Sequence, residues 1–293
     1  MRKLFLLLIL AGCAVAAPAQ LLWKISGNGL DKPSYLFGTH HIAPISVLDS
    51  IAAVPQAVAA TEQVYGEVDM RQMQQLVQQV AVAMMMPEGQ TLQTLLSPHE
   101  FERTDSVMRL YLGVGLDNPG MLRMKPMALG STLSVAVAAR MIPGYNPQQQ
   151  LDQSFQVNAL KDGKTVGGLE TVGEQMDALM GASLDRQCEQ LMCMVDNMSR
   201  GEQMAFDLTA AYMAQDLAEI EEIMTTKLGD SCDSTPEEDE KMIYGRNDAW
   251  MKKMPAIMQD KPTLFVVGVG HLIGERGLLV QLKKLGYSVE AMK

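Results

Sequence analysis

The stretch Tyr35–Pro44, YLFGTHHIAP, runs apolar into Gly38 and then presents His40 and His41. Near the other end of the chain, Val266–Leu272, VVGVGHL, repeats the order apolar, apolar, Gly, x, x, His, apolar that is found in Leu36–Ile42, LFGTHHI. With four histidines in 293 residues, two at matched places after strand-like runs point to a shared role. His41 and His271 are the recurring members, whereas His40 corresponds to Gly270 and is not expected to be chemical. The glycine of each motif is expected to let the chain turn sharply off a sheet through φ angles that other residues avoid. The edge of an open α/β sheet is where ligands bind.

Working outward, short strand-like runs lie at Leu22–Ile25, Ser34–Gly38, Gln63–Val68, Thr165–Leu169, Thr263–Val269 and Tyr287–Glu290. The turn-rich SGNGLDKP between the first two predicts a hairpin. Between the runs the pattern is helical: 70–86, 100–112, 126–141, 147–160 with Asn146 as N-cap and Pro147 at the first helical position, 184–199 and 203–227. The expected fold is α/β, a small mixed sheet formed by the N- and C-terminal halves with a large helical insertion. Residues 20–293 are expected to make a single domain, with helical insertions at about 70–160 and 174–257.

A 47% hydrophobic content suffices for a buried core, and a formal charge of −10 without basic clusters argues against nucleic acid or an anionic membrane surface as partner. Residues 1–19, with a basic start, an apolar centre and the ending Ala17-Pro18-Ala19, read as a signal peptide cleaved before Gln20. LAGC at Leu10–Cys13 also resembles a lipobox, so a lipid anchor at Cys13 stays open as the alternative. No later apolar run approaches the roughly 18 residues of a membrane span. The chain is therefore expected outside the cytoplasm, periplasmic or extracellular, or as an anchored lipoprotein. Export leaves Cys188, Cys193 and Cys232 in an oxidising space, where two long antiparallel helices would favour a Cys188–Cys232 disulfide. The twenty-four methionines read as helix packing, and TPEEDE at Thr235–Glu240 lacks the spacing of a calcium loop.

The segment after Thr263 also resembles a dinucleotide fingerprint, with Gly268, Gly270 and Gly274, and Glu290 twenty residues beyond Gly270. Its glycine spacing is one residue too long and no further βαβ unit follows, so that reading is set aside. Carboxylates fall in places like those of the histidines. QVYGEVDM ends a strand-like run with Glu67 and Asp69, and TVGGLET ends another with Glu170. Two imidazoles and one or two carboxylates suit a divalent metal with positions left for water, although a lone strand-end Glu is more often a cap or salt-bridge partner.

LLWKISGNGLDKPSYLFGTHH, VYGEVD, GGLET, Arg246-Asn247 and VVGVGHLIGERGLLVQLKKLGYSV together resemble the TraB/GumN family, relatives of the Tiki proteases, from Leu21 to Val289. The resemblance implies a divalent-metal-dependent hydrolase acting on a peptide or protein, with His41, His271 and Glu67 as the residues it relies on and Mn, Co or Zn as the metal. Glu67 is then a ligand or a general base. Glu170 and Arg246 match recurring family positions, Arg246 being suited to steady an oxyanion. The alternative on the same scaffold is a non-catalytic binding or assembly protein of the cell envelope.

Overall fold

A computed structural model describes residues 20–293, the side chains of 73–75 apart. The expected signal peptide, residues 1–19, and Cys13 within it lie outside the described residues. Six strands form one mixed sheet: β1 (Leu22–Gly27), β2 (Ser34–Thr39), β3 (Gln63–Gly66), β4 (Thr165–Gly168), β5 (Thr263–Gly268) and β6 (Tyr287–Met292), in the order β4-β3-β5-β2-β1-β6. The expected α/β class holds, and β1 and β2 form the expected antiparallel pair. β2, β5, β3 and β4 are mutually parallel, so their carboxyl ends share one edge. Connections from β3 and β5 leave in opposite directions, to β4 and β6. The crevice between these neighbours is therefore a switch point of the kind where ligands settle.

Alternation along buried strands makes two cores. Tyr35, Phe37, Val64, Leu264 and Val266 face the helix Leu151–Lys161, which contributes Leu151, Phe155 and Ala159. Ile25, Leu36, Phe265 and Val267 face Trp250 and the helix Leu278–Lys284. Phe37 and Phe265 have no exposed surface, and truncating either to Ala costs about 3–5 kcal/mol. A third core, with Met108, Leu129, Leu133 and Leu191, joins the helices Pro98–Leu112, Pro126–Met141 and Leu184–Asp196 away from the sheet. Among the described residues, no helix is long and apolar enough to cross a membrane.

Three local expectations fail, each for a physical reason. The helix expected from Pro147 starts at Leu151, because Asn146 forms a turn instead: its side chain accepts from the Gln148 N–H and its carbonyl from Gln149. Asp152 thereby falls in the first helical turn. The segment 203–227 is not one helix either. It breaks after Met213, where Gln215 is left-handed at φ 60°, and restarts at Leu217 with Asp216 as N-cap.

The break redirects the chain, and the expected Cys188–Cys232 bridge is replaced by Cys193–Cys232. Cys188 and Cys193 are five residues apart, about 140° around the helix. Cys188 packs against the third core as a free thiol, while Cys193 faces the loop that carries Cys232. The same pairing removes Cys193 and Cys232 as thiolate ligands while the bridge is oxidised, although their sulfurs and an Asp230 carboxylate oxygen cluster within 4.8 Å.

Candidate functional site

The parallel strands deliver their next residues to one edge: His40 and His41 after β2, Glu67 after β3, Glu170 after β4, and His271 after β5. The motif glycines serve here through their small size. Gly268 has φ −54°, and a Cβ on it would stand 3.3 Å from Glu67 Oε1. A Cβ on Gly38 would stand 3.2 Å from the Val269 Cα, so the two motifs pack directly on each other.

Glu67 is buried at the switch point. Its Oε1 accepts from the Gly268 N–H at 2.8 Å, and its Oε2 accepts from Gln175 at 3.0 Å and Arg246 at 2.6 Å. Asp69 turns away to a pair with Arg71 at 2.7 Å. Arg246 satisfies all five of its N–H donors. Nε and Nη2 bind Glu170 at 3.0 and 2.7 Å, Nη2 also binds Glu67, and Nη1 binds the Met242 carbonyl at 2.9 Å and His271 Nε2 at 3.1 Å. Its guanidinium lies 4.9 Å from the Trp250 ring, whose Nε1–H donates to Glu170 at 3.1 Å.

His271 is buried against Trp250, with ring centroids 4.4 Å apart. Fully buried Asn247 donates through Nδ2 to the carbonyls of His271 and Arg276, which fixes Oδ1 as its acceptor. That oxygen lies 2.8 Å from His271 Nδ1. Nδ1 must therefore carry the proton, leaving an Nε2 lone pair 3.8 Å from Glu67 Oε1. Burial holds the His271 imidazole below its ordinary range. Burial also opposes the charge on Glu67, but His271, Arg246 and the Gly268 N–H outweigh it and keep this carboxyl well below the usual range.

His41 stands in the open, with its side chain 67% exposed and Nδ1 3.4 Å from Asp152 Oδ2. The other oxygen of Asp152 accepts from Thr39 at 2.6 Å, and the buried Oδ2 has no hydrogen-bond partner, its approach to His41 being a charge contact. The approach of Asp152 raises the His41 pKa above the ordinary imidazole range, an attraction that water at this exposed ring weakens. His40 goes elsewhere: its ring lies 3.2 Å from Thr209 Oγ1 and packs on Tyr212, and burial beside His41 pushes its pKa down to about 4. A cavity of about 300 Å³ opens at His41 and Glu67, walled by Gln150, Asp152, Gln156 and Gln175.

Two imidazoles and a carboxylate are donors of the kind a divalent cation takes, and His271 Nε2 lies 3.8 Å from Glu67 Oε1, but the ligand atoms of His41, Glu67 and His271 do not all gather within 4.8 Å of one another. Each motif histidine directs Nδ1 to a side chain, His271 to Asn247 at 2.8 Å and His41 toward Asp152 at 3.4 Å, the side on which metal-bound imidazoles find their partners. Two carboxylates, Glu67 and Glu170, face one guanidinium, so the buried cluster keeps one negative charge over. His271 Nε2 accepts from Arg246 at 3.1 Å, so any cation on that lone pair would have to replace one of the five arginine hydrogen bonds.

Four contributors went unassigned at the level of sequence: Asp152, Asn247, Gln175 and Trp250. Arg246 and Trp250 are four apart and Asn247 follows Arg246, a polar pair on a helix turn that also buries a tryptophan. That combination is the signal that was there to use. Asp152 and Gln175 carry none, because helix–strand packing brings them in.

A sequence profile of the TraB/PrgY/gumN family matches residues 21–291, and the chain belongs to that family. Among curated proteins it is similar to metalloprotease TIKI2 of Danio rerio, 24% identical over 92% of this chain and 60% of the relative. It is likewise similar to metalloprotease TIKI1 of Homo sapiens, 23% identical over 92% of this chain and 61% of the relative, and to a TIKI homologue of Nematostella vectensis, at 24% over 94% and 67%. The chain thus spans about three fifths of the length of the first two relatives. No solved structure matches it significantly.

Proposed function

We propose that residues 20–293 form one domain, exported by the segment 1–19, that hydrolyses peptide bonds with a divalent metal held by His41, His271 and Glu67. The observation that carries this reading is the paired orientation of the two histidines, Nδ1 of His41 toward Asp152 and Nδ1 of His271 toward Asn247, with Glu67 3.8 Å from His271 and lining one cavity with His41. Names of distant relatives support the peptidase class. When bound, a metal of the Mn, Co or Zn group supplies a Lewis acid for the scissile carbonyl and an acidified water.

This chain's own residues then have definite tasks. Glu67, with its carboxyl held low, suits a ligand better than a general base, whose pKa should lie near the working pH. Arg246 compensates the two carboxylates, and its Nη1, once released from His271, is a donor for developing oxyanion charge. Glu170 anchors Arg246 through two hydrogen bonds, and the cavity glutamines offer amide donors and acceptors to a substrate backbone.

One observation favours the non-catalytic envelope reading: Arg246 satisfies Glu67, Glu170 and His271 without any metal. Metal analysis of protein purified without chelator separates the two. About one Mn, Co or Zn per chain, lost together in His41→Ala and His271→Ala, is the expected result. No stoichiometric uptake of any of the three would overturn the hydrolase reading.

A further inference from the structure

A second cavity of about 360 Å³ has a predominantly apolar wall, to which Gln190, Asn197, Arg200 and Glu202 add polar groups. Ile42, the residue after His41, lines it, as do Val137, Met194, Met198, Ala205 and Leu208. The Cys193–Cys232 bridge closes one side. The loop 40–42 is therefore a shared partition: His41 faces the polar cleft, His40 packs on Tyr212 of the helix Met198–Met213, and Ile42 faces the apolar cavity.

The two cavities have complementary chemistry. Glutamine carboxamides in the cleft hydrogen-bond an amide backbone whatever its side chains, so they discriminate little between peptides. The affinity that selects among peptides has to come from apolar burial, and the adjoining cavity offers it a residue away from His41. Its methionines fit apolar side chains of several shapes.

We propose that this cavity is a specificity subsite that takes one apolar side chain of the peptide substrate while the backbone lies across the cleft at His41. The proposal rests on the peptidase reading above, and its test keeps the two apart. Gly201 lines the cavity from the helix Met198–Met213, and a Cβ on it meets nothing within 4 Å, so Gly201→Phe adds bulk at the cavity wall with no clash at Cβ. A Gly201→Ala variant controls for the change of backbone.

Two readouts are needed. In the first, binding of a dansyl-tagged Gly-Leu-Gly amide is titrated by fluorescence; wild type should saturate, Gly201→Ala should match it, and Gly201→Phe should weaken binding on the order of tenfold or more. In the second, a defined peptide mixture is digested and the cut sites sequenced. Wild type should enrich apolar residues at one fixed position from the cut, and Gly201→Phe should lose that enrichment while still cutting. Failure of wild type to bind the probe, or equal binding by Gly201→Phe, overturns the subsite whatever the digestion shows. Cutting with no apolar preference also overturns it. Probe binding that Gly201→Phe abolishes, in a protein that cuts nothing, supports the cavity as an apolar-peptide site and sinks the peptidase reading alone.

Discussion

Asn247 Oδ1 accepts a hydrogen bond from His271 Nδ1 at 2.8 Å, and the same side chain donates to the carbonyls of His271 and Arg276. One buried amide thus fixes both the tautomer of the imidazole and the backbone that carries it. Asn247→Ala leaves the His271 Nδ1–H and the His271 carbonyl unpaired, while the Arg276 carbonyl still accepts from Gln281 at 2.8 Å, so the cost is about 1–3 kcal/mol for each of two groups. Metal affinity should fall roughly 10- to 100-fold, as when other partners of metal-bound histidines are removed. Nitrogen NMR of the histidine ring reads the tautomer independently: wild type should show Nδ1–H, and the variant a mixture. An unchanged tautomer with unchanged metal affinity would contradict the assignment.

On the His41 side, Asp152→Asn keeps the shape and the Thr39 contact but removes the charge beside Nδ1. Because His41 is exposed, stability should change by less than about 1 kcal/mol, whereas metal affinity should fall on the order of tenfold. His40→Ala should leave metal uptake intact, since that ring contacts Thr209 and Tyr212 and not the cleft. Titration calorimetry on the three variants, His41→Ala included, orders them: His41→Ala weakest, Asp152→Asn intermediate, His40→Ala like wild type.

The edge of the sheet was legible in the sequence because buried parallel strands read as continuous apolar runs that stop at glycine, and all six runs became strands. What the sequence hid are residues that reach the site by packing. Asp152 sits there only because an Asn146 turn delays its helix, and Gln175 only because its helix follows β4. The disulfide was misread because the left-handed Gln215 breaks a segment whose composition is helical throughout. Glycine function was half legible: Gly268 does lie at the strand end, but it is required for the approach of Glu67 and not for its φ.

Arg246 offers five donors to five acceptors, a geometry that an ammonium does not reproduce. In metal-free protein, Arg246→Ala strands two buried carboxylates and should cost about 3–5 kcal/mol; Arg246→Lys should fall between. The sign of the pH dependence follows from the shifts. Glu67 is held down to about 2 from its ordinary 4.5, so its contribution is complete above about pH 4.5 and is lost as pH falls toward 2. His271, pushed down by burial, acts in the same direction, because acid charges it more readily in the unfolded chain. Chelated wild type should therefore lose stability steeply on acidification, and Arg246→Ala should start lower with a shallower slope between pH 5 and 3. Parallel denaturation curves across that range would show that the network does not hold the Glu67 pKa down.

The Cys193–Cys232 bridge joins residues 39 apart and fastens the 229–232 loop to the helix Leu184–Asp196. Arg200 braces the loop further, binding Asp230 at 2.8 Å. Closing a loop of this size stabilises by about 4 kcal/mol in the chain-entropy description. Cys193→Ser and Cys232→Ser should each lower the melting temperature by several degrees, and the double variant should lower it no further, since the first change already breaks the bond. Cys188→Ser should leave the non-reducing peptide map unchanged. Its thiol is half-buried against the third core, and burial pushes its pKa up to about 11, so it is a poor thiolate for exchange. Because the bridge also walls the apolar cavity, reduction should weaken binding of the dansyl peptide while leaving metal uptake at the sheet edge unchanged. A peptide map that links Cys188 to Cys232, or reduction that releases the metal and spares the peptide, would contradict this division of the molecule.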